Sequence, residues 1–318
     1  MTVITDEIAV EEHIALDLDL EPKLQGSVLS TDLLEVEETR LQRMDAAGIG
    51  VSLLSLTSPG VQAELDATRA VDVTRQANEL LAVIVAAHPD RYRGMATVAL
   101  QDPDAAAAEL ERCIRDHGFC GVNLNGYTDT ADGEGLYYDD VRCDPFWAKA
   151  QELDVPVYLH PREPLPGQRR MYRDFPPLVR AAWGFGVETG GHAIRLILGG
   201  VFDRFPALDV VLGHLGETLP FAIWRLEHRV SMTPVAGRLE RPISAYLREN
   251  FHVSTSGNFS SRALIATILE LGADRVMFAV DYPYESMAEG AEWFDGAPIN
   301  TGDREKIARL NAQRLFRL

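Results

Sequence analysis

In the run Glu7-Ile8-Ala9-Val10-Glu11-Glu12-His13, a carboxylate and an imidazole stand two positions apart. Alternate side chains of an extended strand share a face, so Glu11 and His13 aim together while Glu12 points to the opposite side. Such a pair is either a two-ligand clamp for a metal ion or a polar strand end turned to solvent. Four later strand-like runs favour the clamp, because they too end in ligand-type or polar residues: His160, His214, Ser256 and Asp281. Glu11, His13, His160 and Asp281 make a mixed oxygen and nitrogen set without thiolate. That set suits one divalent ion such as manganese, zinc or magnesium, with positions left open for a substrate. His214, in Leu212-Gly213-His214-Leu215-Gly216-Glu217, reads better as an acid or base beside the metal than as a fifth ligand. Glu217 would then fix its tautomer.

Asn125 ends the fourth strand and is a candidate substrate contact. Arg229 follows the His214 strand by one helix and reads as a carboxylate anchor or as a solvated surface arginine. His88, His117 and His252 are positioned as helix-end or packing groups, and His192, four residues after Glu188, as half of a helix-surface pair. Lysine is scarce: Lys23, Lys149 and Lys306 are all there are, and none ends a strand. Schiff-base chemistry and a carbamylated-lysine bridge for two metals are therefore not expected, nor is an organic cofactor.

These residues need a scaffold that brings distant strand ends together. The pattern predicts strands over 7–13, 51–57, 92–98, 118–126, 155–160, 209–214, 251–256 and 275–281. Helices are expected over 33–47, 68–87, 104–117, 143–153, 185–202, 218–230, 262–271 and 303–316. Eight short strands alternating with helices predict a (β/α)8 TIM barrel, with a mononuclear metal site at the C-terminal ends of the strands. Closure sets the eighth strand beside the first, so Asp281 can share a metal with Glu11 and His13. An acidic loop, 14–26, follows the first strand. Segment 161–180, with five prolines and five arginines, is long enough to be a functional loop or lid.

The chain has 318 residues, 46% of them hydrophobic, and no linker divides it, so one barrel domain spanning residues 1–318 is expected. A net charge of -18 disfavours nucleic acid and anionic membranes as partners, and leaves any anionic substrate to a local positive centre such as a bound metal. The three cysteines have no paired spacing and read as reduced thiols of a cytoplasmic protein. Met1-Thr2-Val3-Ile4-Thr5-Asp6 shows no export pattern, and no apolar run approaches membrane-spanning length.

With these residues assembled, the chain resembles the amidohydrolase superfamily. The likeness is to its decarboxylase branch, which includes gamma-resorcylate (2,6-dihydroxybenzoate), 2,3-dihydroxybenzoate and 5-carboxyvanillate decarboxylases. It rests on Val10-Glu11-Glu12-His13, Arg43-Met44-Asp45-Ala46, Leu100-Gln101-Asp102-Pro103-Asp104, Tyr158-Leu159-His160-Pro161-Arg162 and Gly213-His214-Leu215-Gly216-Glu217. Further along the chain it includes Asn250-Phe251-His252, Thr255-Ser256-Gly257-Asn258-Phe259, Asp281-Tyr282-Pro283-Tyr284-Glu285 and Asn311-Ala312-Gln313-Arg314-Leu315-Phe316. Hydrolytic relatives commonly begin with His-x-His, whereas the decarboxylase branch has Glu-x-His, as here.

The resemblance implies a manganese-type site held by Glu11, His13, His160 and Asp281, with His214 supported by Glu217. It also implies Arg229 as a substrate-facing arginine, Phe185 as an aromatic packing on the substrate ring, and a homodimer or homotetramer in which an aromatic from a neighbouring subunit completes the site. Two departures bear on the substrate. The loop after His13 is short and acidic and lacks the family's aromatic, and Tyr282 and Tyr284 stand where Trp and Phe are usual, which makes Tyr284 a substrate-contact candidate.

The expected reaction is non-oxidative decarboxylation of an ortho-hydroxybenzoate, a small aromatic carboxylate, reversible in principle. Asp281, protonated on substrate binding, would deliver a proton to the ring carbon that bears the carboxylate. The alternative on the same barrel is a metal-dependent hydrolase of a lactone or amide, with His214 activating water.

Overall fold

Eight parallel strands pair in chain order, β1 (Glu7–Ile14), β2 (Ile49–Leu56), β3 (Tyr92–Ala96), β4 (Gly121–Asn125), β5 (Val157–His160), β6 (Val210–Leu212), β7 (Phe251–Ser254) and β8 (Val276–Met277). The structure is a computed structural model and describes residues 6–18 and 28–318. Most of the acidic loop after His13 and the first five residues fall outside the described residues. β8 returns to β1 through the amides of Val10, His13 and Asp281, which donate to the carbonyls of Phe278, Tyr282 and Glu11 at 3.1, 2.8 and 3.1 Å. The result is the (β/α)8 barrel that the alternating pattern predicts.

Local chemistry explains where the helices start and stop. Asp66 caps the helix Ala67–Ala87 by accepting from the Arg69 amide. Asp102 caps Pro103–His117 by accepting from the Ala105 amide, and Gly118 ends that helix with a left-handed φ of 67°. The helix expected over 33–47 is two helices, Val28–Leu34 and Thr39–Ala47. The Glu35 carboxylate causes the break, accepting from the amides of Glu37, Glu38, Thr39 and Arg40 at 2.7–3.1 Å and so taking over the free donors of the second helix. The helix expected over 185–202 likewise divides, into Gly184–Leu198 and Val201–Arg204, at the Gly199-Gly200 pair.

The strands bury both faces, as parallel barrel strands must. One set, including Ile8, Val10, Leu53, Met95, Tyr158, Val211 and Met277, packs together with Ala312 and Phe316 from the last helix. The Asn311 side-chain amide donates to the carbonyls of Ala273 and Val276 at 2.8 and 2.7 Å, so this helix stoppers the N-terminal end of the barrel. The larger cluster lies between strands and helices and holds Trp147, whose indole donates to the Tyr138 carbonyl at 2.8 Å. Site chemistry is thereby left to the opposite rim. Segment 161–180 starts buried, at Pro161, Arg162, Pro164 and Leu165, and then runs over the surface, Tyr172 apart, with two 3₁₀ segments, Pro166–Tyr172 and Pro176–Val179.

Candidate metal centre

The clamp of the first strand depends on an irregularity. Ala9 pairs with Ser52 and Glu12 with Leu54, so β1 takes three steps where β2 takes two. Ile8 and Val10 belong to the barrel-interior cluster and Ala9 to the helix-side cluster. Unbroken alternation from Val10 would send Glu12 into the barrel and Glu11 away from it. The bulge shifts the phase, so that Glu11 and His13 face inward and Glu12 faces outward. Both acids are buried, at 2% and 0% exposure.

His160, the last residue of β5, and Asp281, on the loop beyond β8, complete the set. Ligand atoms of Glu11, His13, His160 and Asp281 all lie within 4.8 Å of one another. His13 Nε2 is 3.1 Å from Asp281 Oδ1 and 3.9 Å from Glu11 Oε1, and His160 Nε2 is 3.5 Å from that same Oε1. For His13 and Glu11 the remaining atom is occupied elsewhere, whereas His160 Nδ1 is buried without a hydrogen-bond partner among the described residues. Ser55 Oγ lies 3.2 Å from His13 Nδ1, the Tyr158 hydroxyl donates to Glu11 Oε2, and Ser254 Oγ is 3.0 Å from that oxygen. Glu11 Oε1 and His13 Nε2 are buried without a hydrogen-bond partner among the described residues.

A buried carboxylate oxygen and imidazole nitrogen left over at one point are what a divalent cation would satisfy. The protonation tendencies agree. Burial pushes the Glu11 carboxyl up from its ordinary value, against the pull of His214, His13 and the Tyr158 hydroxyl, so this acid needs a positive neighbour. Burial, with His13 beside it, pushes His160 well below the usual histidine range and leaves a neutral ring with a lone pair to give. The donor set therefore fits a metal of the manganese, zinc or magnesium type.

His214 sits just past β6 in a turn where every residue from His214 to Thr218 has a positive φ, between 53° and 85°. Such a run of mostly non-glycine residues is strained backbone, on the order of 1 kcal/mol or more at each. Its effect is to aim the ring. His214 Nδ1 is 2.7 Å from Glu217 Oε1, and Nε2 is 3.5 Å from Asp281 Oδ2. Burial pulls His214 down, but the Glu217 charge and the Asp281 hydrogen bond outweigh it and hold the ring well above the usual histidine range. For Asp281, burial raises the carboxyl, while the adjoining His13 and His214 rings outweigh it and hold it below the usual carboxylate range. Glycine is required on both sides of this pair. A Cβ on Gly213 would stand 2.9 Å from Glu11 Oε2, and one on Gly257, at φ 56°, would stand 3.1 Å from His214 and 3.2 Å from Asp281 Oδ2.

The other candidates lie at different depths. The Tyr284 ring approaches His13 edge-on, with centroids 5.7 Å apart, and its hydroxyl meets Thr57 Oγ1 at 2.5 Å, with 42% of the residue exposed. Asn125 is fully buried. Its amide donates to the carbonyls of Leu56 and Thr57, and its oxygen accepts from Asn123 at 3.3 Å, so its polar atoms tie β2 to β4. Phe185 is half-buried in the first turn of Gly184–Leu198. Arg229 is exposed in the last turn of Leu219–Val230, roughly 15 Å along the axis from the start of that helix, and is not gathered with the four ligand-type residues.

Glu188 and His192 correct the surface-pair expectation. Both are buried, and each has its own partner: Glu188 accepts from the Tyr137 hydroxyl at 2.5 Å and His192 from the Tyr138 amide at 3.0 Å. Tyr158, Ser254 and Ser55 escaped the sequence reading. For Tyr158 a signal existed, since it precedes His160 by two positions on one strand face.

The protein-family comparison matches residues 33–318 to Amidohydrolase. Gamma-resorcylate decarboxylase of Rhizobium sp. is 44% identical over 321 residues, covering 98% of both chains. The Rhodococcus jostii protein of that name is 46% identical over 324 residues, again covering 98% of each. Among solved structures, the dihydroxybenzoic acid decarboxylase of Polaromonas sp., crystallised with bound manganese and the inhibitor 2-nitroresorcinol, superposes with a TM-score of 0.93 at 44% identity. That match covers 98% of this chain and 97% of the other. Sequence, barrel and ligand set agree, and the chain belongs to the amidohydrolase family, in its decarboxylase branch.

Proposed function

We propose that residues 1–318 form one barrel domain that catalyses the non-oxidative, metal-dependent decarboxylation of an ortho-hydroxybenzoate of the 2,6- or 2,3-dihydroxybenzoate type, a carboxy-lyase reaction. The observation that carries this reading is that Asp281 is shared. One oxygen lies 3.1 Å from the ligand-type His13 and the other 3.5 Å from His214, so a single carboxylate links the metal set to an acid–base pair.

Glu11, His13, His160 and Asp281 would hold the ion, and manganese is favoured because similar proteins were crystallised with it. When bound, it supplies Lewis acidity that favours the ionised phenol and fixes the aromatic acid in one orientation.

The chain's own groups manage the proton. Glu217 holds His214 in a charged, oriented state, and on substrate binding, when the incoming carboxylate raises the Asp281 carboxyl, His214 Nε2 passes a proton to Asp281 Oδ2. Asp281 then protonates the ring carbon bearing the carboxylate. The bond from that carbon to the carboxylate breaks, its electron pair returns to the ring, and carbon dioxide leaves. Tyr284 forms part of the wall above His13. Phe185 is assigned to the substrate ring and Arg229 to the substrate carboxylate by resemblance, and Asn125 supports the wall through Thr57.

Exposed Trp183, Val187, Phe221, Trp224 and Met232 support a homodimer or homotetramer, which would bury them. The unpaired Cys113, Cys120 and Cys143 support a reducing, cytoplasmic setting. No helix among the described residues is long and apolar enough to cross a membrane.

The test is a manganese-reconstituted assay of carbon dioxide release from salicylate, the dihydroxybenzoates and 5-carboxyvanillate, beside acid release from lactones and amides. A chelator is expected to abolish carbon dioxide release from one of the hydroxybenzoates. Acid release with no carbon dioxide from any of them would overturn the proposal in favour of hydrolysis.

A further inference from the structure

Glu12 takes no part in the chemistry above, yet it is completely buried beside two of the four ligand-type residues. Facing away from the metal set, it reaches the loop beyond β8. Its Oε1 accepts from the Val280 amide at 3.0 Å and its Oε2 from the Tyr282 amide at 3.2 Å. Those amides flank Asp281, whose own amide donates to the Glu11 carbonyl at 3.1 Å. Three consecutive amides are thus held by two consecutive residues of β1. Between them Asp281 has a φ of 79°, a left-handed conformation that an aspartate does not keep without support.

The continuous ladder ends earlier, because β8 spans only Val276–Met277, and backbone pairing at this point is limited to an isolated bridge between Glu12 and Tyr282 and single amide bonds to β1. Arg40, fully buried, completes the arrangement. Its Nη2 donates to the His13 carbonyl at 2.7 Å, its guanidinium lies 4.7 Å from the centre of the Tyr282 ring, and its charge attracts Glu12.

We propose that Glu12, backed by Arg40, is a positioning residue that fixes Asp281 against the metal set by clamping the peptide groups on either side of it. The clamp stands where the closure of the barrel thins to an isolated bridge and a few backbone bonds, and it reinforces the join between the His13 end of β1 and the Asp281 loop. Both Glu12 oxygens act as acceptors. A carboxyl oxygen retains that ability whether or not it carries a proton, whereas the nitrogen of a glutamine would face an amide N–H with another N–H. The inference rests on the metal-site reading of Asp281 and extends it to a residue outside the ligand set.

The experiment is Mn2+ titration of the full chain in metal-free buffer, applied to wild type, Glu12→Gln, Asp281→Asn and the double variant, with far-ultraviolet circular dichroism to confirm folding. Glu12→Gln is expected to weaken Mn2+ binding about 10- to 100-fold, as loss of a group that orients a ligand typically does. In the Asp281→Asn background the same change is expected to alter binding by no more than about twofold, because the residue it acts through is already disabled. A purely structural role predicts equal effects in both backgrounds. If Glu12→Gln does not fold, Glu12→Asp, which keeps the acceptors but retracts them by one methylene, goes through the same cycle. Unchanged Mn2+ affinity, or equal effects in the two backgrounds, overturns the clamp. A wild-type chain that binds no Mn2+ overturns the metal reading itself, and the clamp with it.

Discussion

The two ends of β1 bury acids in opposite ways. At the N-terminal end Glu7 is 1% exposed, its Oε2 has no hydrogen-bond partner among the described residues, and its electrostatic neighbours are Asp295, Arg304 and Asp6. Burial, reinforced by Asp295 against the pull of Arg304, pushes its carboxyl up to about 8. At the C-terminal end Glu11 meets a tyrosine, a serine and two histidines, and its one idle oxygen points at other ligand-type atoms. The same residue type on the same strand is a burden at one end and an instrument at the other. What separates the two is whether the surroundings converge on the carboxylate or merely cover it.

The most severe way to break the instrument is Asp281→Asn. The variant keeps the side-chain shape but has no proton to give, and turnover of the hydroxybenzoate is expected to fall by at least about a hundredfold, up to about ten-thousandfold. Full activity in steady-state kinetics would remove Asp281 from the proton path. Tyr158→Phe sharpens the comparison by making the rim resemble the base. Glu11 then loses a donor at Oε2, and Mn2+ affinity is expected to drop roughly tenfold or more, with the barrel still folded. Equal affinity in a metal-buffer titration would mean that Glu11 is oriented without Tyr158.

An effect on stability alone, with none expected on turnover or metal binding, comes from the other end. The raised value means that Glu7 holds its proton more tightly in the folded chain than in the unfolded one. Folding therefore takes up a proton between about pH 4.5 and pH 8, and stability falls as pH rises through that window. Glu7→Gln removes the charge, so its melting temperature should exceed that of the wild type most at pH 8.5 and least near pH 5. The gain is on the order of 4 kcal/mol at most. A difference that does not change with pH would show that Glu7 is not the group responsible.

The barrel was legible because eight apolar runs alternate with helical periodicity, and the ligand set because carboxylates and imidazoles recur where those runs end. The alignment of Glu11 with His13 was legible too, since residues two apart on a strand share a face. Which face that is was not, because a bulge between Ala9 and Glu12 sets the phase and leaves no mark in residue type. His214 and Asp281 read as strand ends but lie beyond their strands, since β6 stops at Leu212 and β8 at Met277. Glu35 looked like one more polar position on a helix. Only its four amide partners show that it divides the helix instead. Glu188 and His192 keep helical spacing on a buried face, which spacing alone does not distinguish from an exposed one.

The left-handed turn from His214 to Thr218 limits how this enzyme can be altered. Valine, isoleucine or threonine placed at 214, 215 or 217 would crowd a backbone already on the glycine side of conformational space, and laboratory libraries aimed there should return mostly misassembled protein. The proline-rich stretch 161–180 has no left-handed residue, and beyond its buried start, which includes the ion-paired Arg162, it is mostly exposed, Tyr172 apart. Selection for a new aromatic acid would find its freedom in that stretch, while the turn that aims the imidazole stays as inherited.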